Sequence, residues 1–151
     1  MSRSGSEMAG YIIDYCNKND SPISNLKLQK ILYYVQAAFL IEGSEAFSDD
    51  IMAWKYGPVV RAVYHQYKIY VNQNIDTPVE KSVLQNSQAK IVNRVIDSYK
   101  NYTALEMVAK THKEKPWREA NGKEHPIIEK AEIKHFYGEH GEGRELLYGE
   151  S

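Results

Sequence analysis

The most enzyme-like stretch of the chain is Thr111-His-Lys-Glu-Lys-Pro-Trp117, because His112 and Glu114 reproduce the H-x-E half of a zinc deaminase site. In such a site the histidine binds metal and the glutamate moves protons. The other half, P-C-x-x-C, has no counterpart in a sequence whose one thiol is Cys16. The H-E-x-x-H helix of a metalloprotease is missing as well. Cys16 falls near the end of a predicted helix, where the dipole disfavours an anion, so a packed thiol is expected rather than a nucleophile. Ser24 and Ser44 lack a glycine-flanked elbow, and no glycine-rich loop suited to phosphate occurs. His65, His125, His135 and His140 follow no metal-ligand spacing, whereas His112 sits at a helix C-terminus, where it can bond the last carbonyls. The expectation is a protein without catalytic residues, cofactor or metal; its rival is a small metal-dependent hydrolase built on His112 and Glu114.

The composition points elsewhere. Twelve tyrosines and two tryptophans occur in 151 residues, and these side chains offer large contact areas with a polar tip at small entropic cost, the properties that interfaces favour. Tyr64, Tyr67 and Tyr70 recur at steps of three and, with Trp54 and Tyr56, form a candidate aromatic surface. Two of these five, Tyr64 and Tyr67, have a competing claim to the core. Whatever remains exposed marks a binding face, because hot spots favour Trp and Tyr. The candidate partner-binding residues are therefore Trp54, Tyr56, Tyr64, Tyr67, Tyr70, His112 and Trp117.

These residues must be held by helices. Met8, Tyr11, Ile12 and Tyr15 predict a first helix over 7–17, and Ser24 is a suitable N-cap for a second that reaches about Glu42. Leu28, Ile31, Leu32, Val35 and Phe39 line one face of that second helix. Tyr34, Ala38 and Ile41 widen the stripe until the helix should run through the middle of the fold, and Gly43 stops it. The alternation in 51–56 predicts a short strand running into Gly57-Pro58, where proline is set to start a helix carrying Val60, Val63, Tyr64, Tyr67 and Val71. Ile75 and Thr77 alternate and are candidates to pair with the Trp54 strand. A helix from about Ser87 to Tyr99 follows, then one opened by the capping box Thr103-Ala-Leu-Glu106 that buries Leu105, Val108 and Ala109. Pro116 starts a single turn ended by Asn121-Gly122, Ile127 and Ile128 are extended, and 131–137 is helical with Ile133 and Phe136 inward.

Length suits one domain with a core of its own. The expected fold is mainly α, a single compact domain over 1–138 around a central buried helix, with a small β element near 51–56 and a mobile tail over 139–151. With 19 Lys and Arg against 20 Asp and Glu, the charge balance speaks against a nucleic-acid partner. A lone cysteine and the absence of any apolar run of about 20 residues suit a cytoplasmic protein with no membrane partner.

Three stretches together resemble one family. They are Leu26-Lys-Leu-Gln-Lys-Ile-Leu-Tyr-Tyr34 with Gln36-Ala37; Ala53-Trp-Lys-Tyr-Gly-Pro-Val59 with Val63-Tyr64; and Thr111-His112, Glu114 and Pro116-Trp117 with Ala120. In this order, from roughly Tyr11 to Tyr137, they are similar to the Panacea domain of SocA-like antitoxins and phage-associated proteins. The resemblance implies a mostly helical domain with a small β element, acting as the antitoxin of a toxin–antitoxin pair by direct contact with a cognate toxin. Delivery of the toxin to a protease, or capture of a host protein by a phage-encoded factor, are the other partnerships it implies. Many relatives carry an additional DNA-binding domain for which this chain has no room, so autorepression is not expected. The family supplies no catalytic residues, and its motif residues are expected to define the fold.

Overall fold

The computed structural model describes residues 3–149. Helix α1 (Gly5–Lys18) is opened by a capping box in which Ser4 accepts from the Glu7 amide and Glu7 accepts from the Ser4 amide, satisfying two otherwise unpaired donors. Helix α2 (Asn25–Ile41) begins at Ser24, whose hydroxyl accepts from the Lys27 amide, and its interior runs from Leu28 to Leu40 without an exposed position. Each fully buried aliphatic or aromatic side chain along it contributes roughly 1.5–3 kcal/mol of hydrophobic stabilisation. Helices α4 (Asn86–Ser98), α5 (Ala104–Lys113) and α7 (Lys130–Tyr137) and the first helix surround it. The expected central rod is therefore present, and the fold is mainly α with a small sheet.

Near 51–56 lies a hairpin rather than a lone strand. Strand β1 (Ile51–Trp54) turns through Lys55-Tyr56 into β2 (Gly57–Val59), with Trp54 opposite Gly57. Gly57 at φ +106° occupies a conformation that side chains rarely adopt, which permits so short a turn. Pro58 starts no helix: it lies on the edge strand, where its missing N–H costs no ladder bond, and helix α3 (Arg61–Tyr67) begins three residues later. The sheet order is β2-β1-β3. Its third member is β3 (Ile127–Ile128), paired through Ile51–Ile128 and Met52–Ile127. The expected pairing of 75–77 with the Trp54 strand is overturned, since the Ile75 amide bonds the Ile23 carbonyl at 2.9 Å.

Two other expectations change. On α5 the buried positions are Met107, Val108 and Thr111, while Leu105 and Ala109 face outward, because the helix turns its Thr111 side to α2 and the hairpin. The presumed tail folds back along α4. Gly143 bonds the Phe136 carbonyl, Tyr99 donates to the Leu147 carbonyl at 2.8 Å, and Leu147 enters the core. Glycines and charges concealed one well-placed leucine. Residues 1–2 of the expected domain and 150–151 of the expected tail lie outside the described residues.

Candidate partner-binding groove

Helix α2 contributes more than apolar surface. Gln29 and Lys30, buried on adjacent positions, reach toward the hairpin: Gln29 Oε1 accepts from the Val60 amide at 2.9 Å, and Lys30 Nζ donates to the Pro58 carbonyl at 3.2 Å. Asn25 donates to the Tyr64 carbonyl at 3.1 Å and accepts from Gln29 at 2.9 Å, fixing the start of α2 against α3. About two turns beyond Gln29, Gln36 donates to the Phe47 carbonyl and accepts from the Ala46 amide, so it pins the loop that leads into β1. Burial without a counter-charge pulls the Lys30 ammonium down to about 7.

The hairpin is braced from its other side by helix α6 (Lys115–Ala120). Trp117 Nε1 donates to the Trp54 carbonyl at 2.9 Å, Asn121 donates to the Ala53 carbonyl, and the His112 ring stacks on Trp117 with centroids 3.9 Å apart. Both His112 and Trp117 thus position the hairpin without lining the surface beyond it. Glu114, two residues on, turns inward. It accepts from Tyr34 at 2.8 Å, from Tyr137, and from Lys110 at 2.7 Å. The carboxylate is occupied by this network, whereas His112 stacks on Trp117 and its buried Nε2 has no hydrogen-bond partner among the described residues. Among the described residues no three His, Cys, Asp or Glu side chains are grouped to hold a metal.

Sequence reasoning missed the cluster around Glu114. Tyr33, Tyr34, Tyr99 and Tyr137 are each buried, with Tyr34 stacked on Tyr99 at 4.8 Å and edge-on to Tyr33 and Tyr137. Burial first, and the nearby Glu114 second, raise the Tyr34 and Tyr99 hydroxyls far above their ordinary value. Lys110 lies 4.3 Å over the Tyr34 ring and also donates to the Leu146 carbonyl, tying the C-terminal segment to the cluster. Only the i, i+4 spacing of Lys110 and Glu114 was available in the sequence to suggest this pair. Cys16 is buried too, and burial pushes its thiol up to about 11, which suits a packing role.

Between the front of the hairpin, the start of α2 and helix α3 opens a groove of about 580 Å³. Trp54, Tyr56 and Tyr64 form its aromatic wall, with Trp54 edge-on to Tyr64 at 5.4 Å. Leu26, Val59, Val71 and Ala104 complete a mainly apolar lining. Its size falls within the roughly 300–1,000 Å³ of pockets that admit a few large groups. Tyr56 is 55% exposed, and Ile69, Val71 and Leu105 are more than two-thirds exposed. Val71 stands at φ +57°, an outlier for a β-branched residue, so rim geometry is strained there.

Of the expected aromatic surface, Trp54, Tyr56 and Tyr64 therefore meet in one place. Tyr67 is fully buried and accepts from the Val79 amide at 2.8 Å, because the inward face of α3 is set by Val63 and Tyr67. Tyr70 turns to Asp76 at 2.9 Å and is not part of the groove lining. Lys68 and Val71 are groove residues the sequence did not announce; neither is aromatic, and their position depends on the 3-10 turn over Lys68–Tyr70.

The chain matches the family described as Antitoxin SocA-like, Panacea domain, over residues 28–118. That span holds the first motif from Leu28 onward, the whole of the second and the third as far as Trp117, together with the groove's aromatic wall. The chain is 28% identical over 121 residues to Antitoxin SocA of Caulobacter vibrioides (strain NA1000 / CB15N), covering 70% of this chain and 63% of that relative. It thus spans under two thirds of the relative's length. No solved structure matches. With the hairpin motif and most of the α2 and Thr111–Ala120 motifs inside the matched region, this chain belongs to the SocA-like antitoxin family defined by the Panacea domain.

Proposed function

We propose that this protein is the antitoxin of a toxin–antitoxin pair and that it silences its toxin by direct contact at the groove. One observation carries the reading: in a member of an antitoxin family, Trp54, Tyr56 and Tyr64 gather at a mainly apolar surface opening that none of the described residues fills. Large aromatic side chains at such openings are the usual energetic anchors of protein interfaces. Family membership also favours a non-catalytic regulator over a hydrolase.

Co-expression with the product of the adjacent reading frame tests this. Growth is expected to be restored by the wild-type protein and lost again with Tyr56→Ala, whose side chain is more than half exposed, so that thermal unfolding should show the variant folded. Failure to rescue any neighbouring gene product contradicts the reading. Toxin half-life with and without the protein separates steric silencing from delivery to a protease. Capture of a host protein in preference to the neighbour's product points instead to a phage-type factor.

A further inference from the structure

The charge on the groove's lining is one-sided, with Lys55 and Lys68 and no carboxylate. All but one of its lining residues come from the stretches 21–41 and 51–75, which contain Lys27, Lys30, Lys55, Arg61 and Lys68 and not one of the chain's 20 Asp and Glu. The rest of the chain therefore carries every carboxylate and is net acidic, although the whole molecule is close to neutral. Lys30 is buried and Lys27 is bonded to the Tyr102 carbonyl, which leaves Lys55 and Lys68 as the groove's own exposed cations. Neither makes a salt bridge among the described residues, although salt bridges hold Lys18, Lys81, Lys110 and Lys130 elsewhere. Lys55 hangs over the Tyr56 ring at 5.4 Å, at one side of an apolar floor.

From this charge complementarity we infer that the groove's occupant is an acidic amphipathic segment of the partner protein, one or two bulky apolar side chains seated against Trp54, Tyr56 and Tyr64, with flanking carboxylates meeting Lys55 and Lys68. The inference rests on the reading of the groove as a protein-binding surface and adds the chemistry of what binds there. An apolar depth with a cationic rim rewards an apolar anchor and rejects a basic neighbour, since like charges facing across an interface are costly. Nucleic acid is the poorer fit: the lining contributes two lysines and no arginine, and a phosphate chain needs a continuous basic track.

The test selects a random peptide library on phage against the full-length protein and, in parallel, against Lys55→Glu/Lys68→Glu, with thermal unfolding showing both to be folded. Selected peptides are expected to carry Asp or Glu beside a Trp, Phe or Leu anchor. Binding, read by fluorescence anisotropy, falls at least about tenfold for the charge-reversed variant, as two weak exposed ion pairs turned to repulsion predict. It falls likewise as salt is raised. Should the double variant misfold, Lys55→Gln/Lys68→Gln serves, with a smaller loss in the same direction. Peptides with no acidic bias, no selected peptide, equal binding by the variant, or tighter binding of a labelled oligothymidylate each overturn the inference. Rescue of the adjacent gene product in cells, and its loss with Tyr56→Ala, do not depend on this assay, so a failed selection beside intact rescue overturns the acidic-segment inference without touching the antitoxin reading.

Discussion

Lys30 is wholly buried and donates to one carbonyl, that of Pro58, under the Cα of Gly57. Its ammonium titrates near 7 in the folded chain and near 10.4 once unfolded. The unfolded state therefore binds the extra proton between those values, so stability rises as pH climbs from about 7 to about 10, and the burial penalty is complete below that window. Lys30→Met removes the titration at the cost of one hydrogen bond. It is expected to stabilise the protein by about 2 kcal/mol at pH 7, with the gain gone at pH 10, as urea unfolding at both pH values will show. An unchanged pH profile contradicts the assignment. Glu114 works in the opposite sense, because its carboxylate satisfies two buried tyrosines and Lys110 at once. Glu114→Ala leaves those donors unmatched and should cost roughly 3–5 kcal/mol, measured as a lowered denaturation midpoint. If the midpoint holds, the carboxylate is not the hub of the tyrosine cluster.

The hairpin is the element on which the groove depends, and it has little autonomy, since a two-stranded hairpin alone is marginal in water. Lys30 and Gln29 hold it from α2, and Trp117 and Asn121 from the α6 side. Gly57→Ala combines a strained φ with a Cβ placed 2.6 Å from Lys30 Cε and 2.9 Å from Thr111 Oγ1. A loss of about 2 kcal/mol or more is expected, with weakened partner binding as the hairpin shifts. Wild-type stability in that variant would contradict the close approach. Much of this element was readable: the central α2, its Ser24 cap, the Thr103 capping box and the single turn at Pro116 all follow from periodicity and cap chemistry. Pro58 was not, because a proline after glycine suits both a helix start and an edge strand, and only the Gln29 and Lys30 contacts decide between them. Ile127 and Ile128 gave no sign of their partner strand for a related reason: pairing across more than seventy residues leaves no local trace.

Across the whole molecule, the three motifs that mark the family converge on one structural knot behind the hairpin, while the groove opens on the front. Trp54, Tyr56 and Tyr64 belong to both regions, which is why composition pointed to them. Lys68 and Val71 belong to the front alone and left no motif. Tyr67 shows the limit of reading a tyrosine run by spacing, since steps of three carry successive residues gradually around a helix. The C-terminal segment, closed over α4 by Leu147 and by Arg94 against the Tyr148 ring at 3.8 Å, lies with the acidic remainder of the chain. Leu147→Asp should destabilise the protein by about 3 kcal/mol, seen as a lower melting temperature, yet leave partner affinity unchanged at temperatures where the variant is folded.

Hydrogen exchange of the purified complex with the adjacent gene product tests the groove most directly. The account predicts that binding slows exchange in the 24–29, 54–60 and 64–72 segments and at the start of α5, with 139–149 unchanged. Protection confined to the C-terminal segment or to the exposed face of α4, with the hairpin and α3 exchanging as in the free protein, would contradict it.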